Sequence, residues 1–200
     1  MVKRKFNEIT KSDDYEDDES VDNELVDSIN NHIYFYSNVN QKSVLKVIKV
    51  INNVSNTILK TQIDHDIIGI KIYLHINSSG GDIYAALSLV DIIKRSKIPI
   101  VSIIEGYAAS AATLISIVCH ERKILKNASM LIHQISSGYW GKLYEIKDDC
   151  KNLKFLEKKT KKIYIKHSNM SDKYLTKILK HDILWGSKKC KRLKLVDEII

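Results

Sequence analysis

A predicted strand that runs directly into a predicted helix, with one serine at the junction, restricts the possible folds of this chain most. Residues 100–104 are typical of a buried strand, and the apolar residues of 111–118 have helical spacing. Ser110 lies between them, after Gly-Tyr-Ala-Ala at 106–109. Small residues allow another backbone to approach closely, and a helix start carries positive dipole charge. The pattern indicates an α/β fold with a candidate nucleophile at Ser110.

Strand and helix patterns alternate along most of the chain. Pro99 marks the end of one helix, because proline disfavours helical geometry in the residue before it. This alternation predicts one α/β domain with a largely parallel sheet. The predicted strands are 32–36, 69–76, 100–104 and 130–132, and the predicted helices are 44–58, 82–93, 111–118 and a long lysine-rich one at about 141–167.

The N-terminal segment differs in charge from the rest of the chain. Residues 1–30 hold ten acidic and four basic side chains, whereas the remainder carries a net charge of +14. We therefore predict a flexible acidic tail over 1–30 and a folded domain over 31–200. The lysines of that domain are spread along helix faces without interleaved aromatic residues, which disfavours nucleic-acid binding.

Several other classes are disfavoured by composition. No apolar stretch approaches the roughly 20 residues of a membrane span, and the basic N-terminus has no apolar block behind it. The three cysteines, Cys119, Cys150 and Cys190, form no Cys-x-x-Cys motif, so we predict free thiols and no metal site. The predicted location is the cytoplasm, with an organelle as the alternative.

Serine chemistry requires a base, a carboxylate and amide donors. His133 follows the short strand 130–132 and is the candidate base for Ser110. Ala111 and the Gly80-Gly81 pair are candidates for the N–H groups that stabilise an oxyanion. Asp182 is the favoured carboxylate because apolar residues follow it, but the chemistry leaves several choices open downstream of His133: Glu145, Asp148, Asp149, Glu157, Asp172, Asp182, Asp197 and Glu198.

Three segments of the chain resemble the signature segments of the Clp protease proteolytic subunit, ClpP. They are Ile-Asn-Ser-Ser-Gly-Gly at 76–81, Gly-Tyr-Ala-Ala-Ser-Ala-Ala at 106–112 and Met-Leu-Ile-His-Gln at 130–134. Their order and approximate spacing match over residues 31–200. The segment Asp-Ile-Leu-Trp at 182–185 is similar to the one in which the family carries its catalytic aspartate.

The resemblance implies a catalytic triad of Ser110, His133 and Asp182, with an oxyanion hole formed by the amides of Gly81 and Ala111. It implies the ClpP/crotonase-like fold of stacked ββα units, with the helix at about 141–167 as a protruding handle. The expected activity is that of a serine endopeptidase acting on peptides or unfolded proteins without a cofactor. The expected partners are identical subunits, in one heptameric ring or two stacked rings, and a separate AAA+ ATPase that unfolds substrates.

Two departures from the family pattern keep other functions open. His181 stands where the family has an arginine that couples the rings, and the acidic tail replaces the family's axial loops. Both departures fit a non-catalytic ring subunit that keeps the fold as a scaffold. A crotonase-type enzyme acting on acyl-CoA is the other alternative, because that related fold also holds an oxyanion with two amides.

Overall fold

The structure is a computed structural model that describes residues 25–200. Its strands are β1 Leu25–Ile29, β2 His32–Tyr36, β3 Ile72–Ser78, β4 Ile100–Ala109, β5 Glu121–Ile124, β6 Ser129–Leu131, β7 Trp185–Gly186 and β8 Glu198–Ile199. Its helices are α1 Gln41–His65, α2 Ile83–Arg95, α3 Ala111–Ile117, α4 Leu143–His167, α5 Asp172–Ile178 and α6 Ser187–Arg192.

The eight described strands form one mixed sheet that forks at β4. The main path has the order β1-β2-β3-β4-β5-β8, and all its pairs are parallel except β1–β2. Residues 101–104 of β4 pair with β5, whereas residues 107–109 pair with β6, which continues to β7. The predicted α/β fold with a largely parallel sheet is confirmed.

The predicted limit of the N-terminal tail is wrong at its C-terminal end. Leu25–Ile29 forms β1, which pairs with β2, so residues 25–30 belong to the folded domain. The charges of this segment misled the prediction because β1 is an edge strand in which Val26 alone is fully buried. The tail predicted over residues 1–24 lies outside the described residues.

The core lies between the sheet and the helices that follow its strands. Each parallel strand contributes alternate apolar side chains to one face, among them Ile33, Leu74 and Ile104, each without exposed surface. Asp82 begins α2 by accepting hydrogen bonds from the Tyr84 and Ala85 amides, which explains why the helix starts there. This arrangement places the C-terminal ends of β3, β4 and β6 at one edge of the sheet.

The helix α4 corresponds to the predicted handle, and its two halves differ in burial. Its C-terminal half contributes buried side chains to the domain, including Ile163 and Tyr164. In its N-terminal half, Leu143, Tyr144 and Phe155 are exposed despite their apolar character. Within the described residues, the apolar stripe of α4 is therefore buried only from Leu156 onward. None of the helices of residues 25–200 combines the length and apolar composition that a membrane span requires.

Candidate active site

Ser110 occupies an unusual backbone conformation between β4 and α3. Its φ of 52° and ψ of −124° lie in a region that side chains with a Cβ rarely adopt. Its amide donates to the Leu131 carbonyl at 2.8 Å, which fixes the junction against β6. Ser110 stands at the N-cap position of α3, yet its side chain makes no capping hydrogen bond. The hydroxyl is therefore not used to start the helix, as an ordinary N-cap serine would be.

His133 lies close to this junction because β6 runs beside the end of β4. The register pairs Ala109 with Leu131, so the nucleophile candidate and the base candidate leave the sheet at the same edge. The His133 side chain is 26% exposed. Within residues 25–200, no hydrogen bond joins the Ser110 hydroxyl to the His133 ring. Such bonds are often long in free enzymes and shorten when substrate binds.

Asp182 contacts His133 because the two short strands β6 and β7 pair with each other. The antiparallel register of β6 and β7 pairs Met130 with Trp185, which brings the segment after β6 beside the segment before β7. Asp182 Oδ1 lies 2.7 Å from His133 Nδ1. A carboxylate can only accept, so Nδ1 carries the hydrogen and Nε2 is left with a free lone pair. Burial, and to a smaller extent the negative charge of Asp182, raises the pKa of the nearby Tyr107 hydroxyl.

Among the eight carboxylates that the sequence left open, Asp182 is the one in hydrogen-bond contact with His133 within the described residues. Four others are engaged in ion pairs elsewhere: Asp148 with Lys151, Asp172 with Lys161, Asp197 with Arg122, and Glu198 with Lys123. The Asp182 side chain is itself 75% exposed, so nothing in its packing requires a carboxylate at this position.

The glycine turn after β3 is packed directly against the serine junction. A Cβ on Gly80, whose φ is 94°, would lie 2.8 Å from Ser110 Cβ and 2.6 Å from the Ala109 carbonyl oxygen. Gly81 is pressed against Val39, through a bridge that uses the Gly80 carbonyl and the Asp82 amide. The Gly81 N–H takes no part in that bridge. Positions 80 and 81 can therefore be occupied only by glycines, and Gly80 packs directly against Ser110.

Ala111 is the first residue of α3, so its N–H has no acceptor within the helix. The other predicted donor, Gly81, follows Gly80, whose Cβ position lies against Ser110. A tetrahedral oxyanion needs donors of this kind, placed before the reaction begins. A strained serine, an imidazole in contact with a carboxylate and an unpaired helix-start amide are the kinds of group that acyl transfer uses.

Comparison with known proteins identifies the family and the fold of this chain. The family model for Clp protease matches residues 21–200. The chain belongs to the Clp protease family. Among solved structures, a mutant of ClpP1 from Listeria monocytogenes is similar, with a TM-score of 0.74 and 22% sequence identity. The alignment covers 86% of this chain and 91% of that one, and at this identity it supports the fold. The resemblance inferred from the three sequence segments is confirmed.

A second polar cluster lies on the sheet, on the face opposite the buried residues of β2 and β3. His32 Nδ1 lies 2.8 Å from His75 Nε2, and His75 Nδ1 lies 2.7 Å from Glu105 Oε1, while the Tyr36 hydroxyl donates to the same carboxylate. Burial, followed by hydrogen bonding to Glu105 and its charge, raises the pKa of Tyr36 to about 12. Within residues 25–200, no group of three or more His, Cys, Asp or Glu side chains is arranged to hold a metal ion.

One buried contact beside Ser110 was missed by sequence reasoning. Thr113 interrupts the apolar run of α3, and its hydroxyl donates to the Ser110 carbonyl oxygen at 2.6 Å. The same hydroxyl oxygen lies 2.6 Å from the Tyr164 hydroxyl on α4. A threonine in a helix that, apart from Ser116, is otherwise made of Ala, Leu and Ile was the available signal.

Proposed function

We propose that this chain is a serine endopeptidase of the Clp protease family, with Ser110, His133 and Asp182 as its catalytic triad. The observation that carries the proposal is the 2.7 Å contact between His133 Nδ1 and Asp182, made at the strand end that lies beside Ser110. The pairing of β6 with β7 brings these two parts of the chain together, but nothing in the packing of the largely exposed Asp182 requires a carboxylate there. A general base requires this orientation by a carboxylate.

In the proposed mechanism, Ser110 Oγ attacks the carbonyl carbon of the scissile peptide bond and His133 Nε2 accepts the hydroxyl proton. Asp182 stabilises the imidazolium that forms, and the amides of Gly81 and Ala111 donate hydrogen bonds to the oxyanion. His133 then gives the proton to the departing amine, which leaves an acyl ester on Ser110. A water molecule, deprotonated by the same imidazole, hydrolyses the ester and restores the enzyme.

We further propose that the substrate lies as an extended strand beside the Gly80-Gly81 turn, paired through main-chain hydrogen bonds. Peptides and unfolded proteins fit such a site, whereas folded proteins would require a separate ATPase to unfold them. No P-loop motif occurs in the sequence, so this chain would not supply that ATPase through such a loop. The proposed assembly is a homomeric heptameric ring, single or stacked in pairs, in the cytoplasm.

A fluorophosphonate probe tests the proposed nucleophile directly. The wild type should be labelled on the peptide that contains Ser110 and should cleave a short fluorogenic peptide, whereas Ser110→Ala should do neither. Ser88→Ala is the matched control, because Ser88 is an exposed serine in α2. This variant should be labelled and active like the wild type.

The same experiment separates the alternatives. A folded wild type that is neither labelled nor active would refute the peptidase. It would favour the non-catalytic ring subunit, which is also supported by His181 at a position where the family has an arginine. Binding of an acyl-CoA by that unlabelled protein would instead favour a crotonase-type enzyme.

A further inference from the structure

Thr113 and Tyr164 form a buried hydrogen-bonded chain that ends on the backbone of Ser110. Thr113 has no exposed surface and Tyr164 is only 4% exposed. The Ser110 carbonyl accepts from the Thr113 amide at 3.0 Å and from the Thr113 hydroxyl at 2.6 Å. The Tyr164 hydroxyl lies 2.6 Å from that hydroxyl oxygen. The contact links the last third of α4 to the start of α3.

The direction of the hydrogen bonds in this chain follows from counting hydrogens. A carbonyl oxygen can only accept, so the single hydroxyl hydrogen of Thr113 points to Ser110. The Tyr164 hydroxyl must then be the donor to Thr113. Burial strongly raises the pKa of the Tyr164 hydroxyl, with the Thr113 contact as a smaller opposing effect, so the tyrosine keeps its hydrogen. The order of donors therefore runs from Tyr164 through Thr113 to Ser110.

The carbonyl of Ser110 and the amide of Ala111 belong to the same planar peptide unit. Because a trans peptide is rigid, fixing the direction of the C=O also fixes the direction of the N–H, which points the opposite way. Within that peptide, the Ala111 N–H is the donor assigned to the oxyanion. The orientation is not a relaxed one, since Ser110 combines a φ of 52° with a ψ of −124°, and rotation about ψ, which turns this peptide, would relieve strain.

We propose that Thr113 and Tyr164 are positioning residues that hold the Ala111 N–H toward the oxyanion, an inference that rests on the proposed peptidase function. Their effect falls on the transition state, because the negative charge develops only there. Loss of the Thr113 hydroxyl should therefore lower kcat and leave KM nearly unchanged. A threonine that merely supports the helix, as many do by bonding to the carbonyl three residues earlier, would affect stability alone.

The test compares kcat, KM and thermal unfolding in Thr113→Val, Tyr164→Phe, the double variant and Thr113→Ser, with a fluorogenic peptide as substrate. Thr113→Val should lower kcat about tenfold or more, with KM within about twofold, and should also lower Tm because the Tyr164 hydroxyl loses its buried partner. Tyr164→Phe should lower kcat by a smaller factor. Thr113→Ser, which keeps the hydroxyl, should retain kcat near that of the wild type.

The double variant separates positioning from stability. Replacing both partners removes the unsatisfied hydroxyl, so Tm should recover relative to Thr113→Val while kcat stays low. Recovery of kcat together with Tm would overturn the inference, as would a rise in KM with kcat unchanged. Thr160→Val is the matched control, because buried Thr160 makes the same type of bond, to the Glu157 carbonyl at 3.0 Å, away from Ser110. It should leave kcat unchanged.

Failure of the underlying function would have a different result. A wild type that neither reacts with the fluorophosphonate nor cleaves the peptide refutes the peptidase, and this inference with it. A labelled, active wild type whose double variant has the wild-type kcat refutes the positioning role alone.

Discussion

Substitution of Gly80 by alanine is the most direct test of how tightly the glycine turn packs on the serine. The added Cβ would lie 2.6 Å from the Ala109 carbonyl oxygen, 2.8 Å from Ser110 Cβ and 3.0 Å from the Ala111 nitrogen, in a residue whose φ is 94°. The positive φ costs about 1–2 kcal/mol for alanine, and forcing an extra methyl into packed surroundings costs about 1–3 kcal/mol. The expected loss of unfolding free energy is therefore roughly 2–5 kcal/mol.

Two other glycines separate these contributions. Gly69 has a φ of 84° but open space around its Cβ position, and Gly138 has open space without a positive φ. In thermal unfolding at one protein concentration, Tm should fall by roughly 4–20 °C for Gly80→Ala, by a few degrees for Gly69→Ala, and hardly at all for Gly138→Ala, taking about 2–4 °C per kcal/mol. Equal values for Gly80→Ala and Gly69→Ala would refute the close packing of the turn on Ser110.

Three further predictions concern charged and titratable groups. Asp182→Asn should lower peptide turnover by about 10³- to 10⁴-fold, because His133 loses its orienting carboxylate. Tm should change little, because the replaced side chain is exposed. A stable variant with wild-type turnover would contradict the triad. Burial alone would raise the pKa of Asp197, but hydrogen bonds and charge from Arg122 outweigh it and hold that pKa below its ordinary value of 3.8. The stability that this ion pair contributes is therefore present above pH 3.8 and lost as the pH falls further. Asp197→Asn should therefore flatten the fall of Tm in acid, and an unchanged slope would contradict the pairing. Burial, followed by the charge of a neighbouring histidine, lowers the pKa of His32 below 6.5, so the stability contributed by neutral His32 is complete above that pH and lost as the pH falls. Urea midpoints at pH 7.5 and 5.5 should therefore differ less in His32→Gln than in the wild type. Equal differences in the two proteins would contradict this pKa shift.

Local sequence patterns predicted most of the fold because they report on short-range physics. The run 32–36 coincides with β2, and the helix predicted at about 141–167 is α4, because alternation and helical spacing directly record which face of an element is buried. The strand predicted at 69–76 is displaced, as β3 covers Ile72–Ser78. The alternating pattern of this segment begins before Ile72, the first residue that pairs with a neighbouring strand. Pairing, which is a tertiary property, therefore determined the ends.

The candidate site was predictable only in part for the same reason. Ser110 has a local signature, since a strand, a small-residue turn and a helix follow one another. The contact between His133 and Asp182 depends on the pairing of β6 with β7, and β7 is two residues long, too short for any periodicity. Family resemblance, and not the chemistry of the residues, selected Asp182 among eight carboxylates. The bond between Thr113 and Tyr164 joins positions 51 residues apart, and the threonine in α3 does not by itself indicate its partner.

The fork in β4 divides the sheet into two branches that lead to different strands. Residues 101–104 carry the branch that leads to β5 and the C-terminal β8, while residues 107–109 carry the branch that leads to β6 and β7. Ser110, His133 and Asp182 all belong to the second branch. A tilt of one branch against the other would thus carry these three side chains as a group and preserve their mutual distances. Cutting back the C-terminal strand should accordingly weaken the domain before it disturbs the spacing of the three.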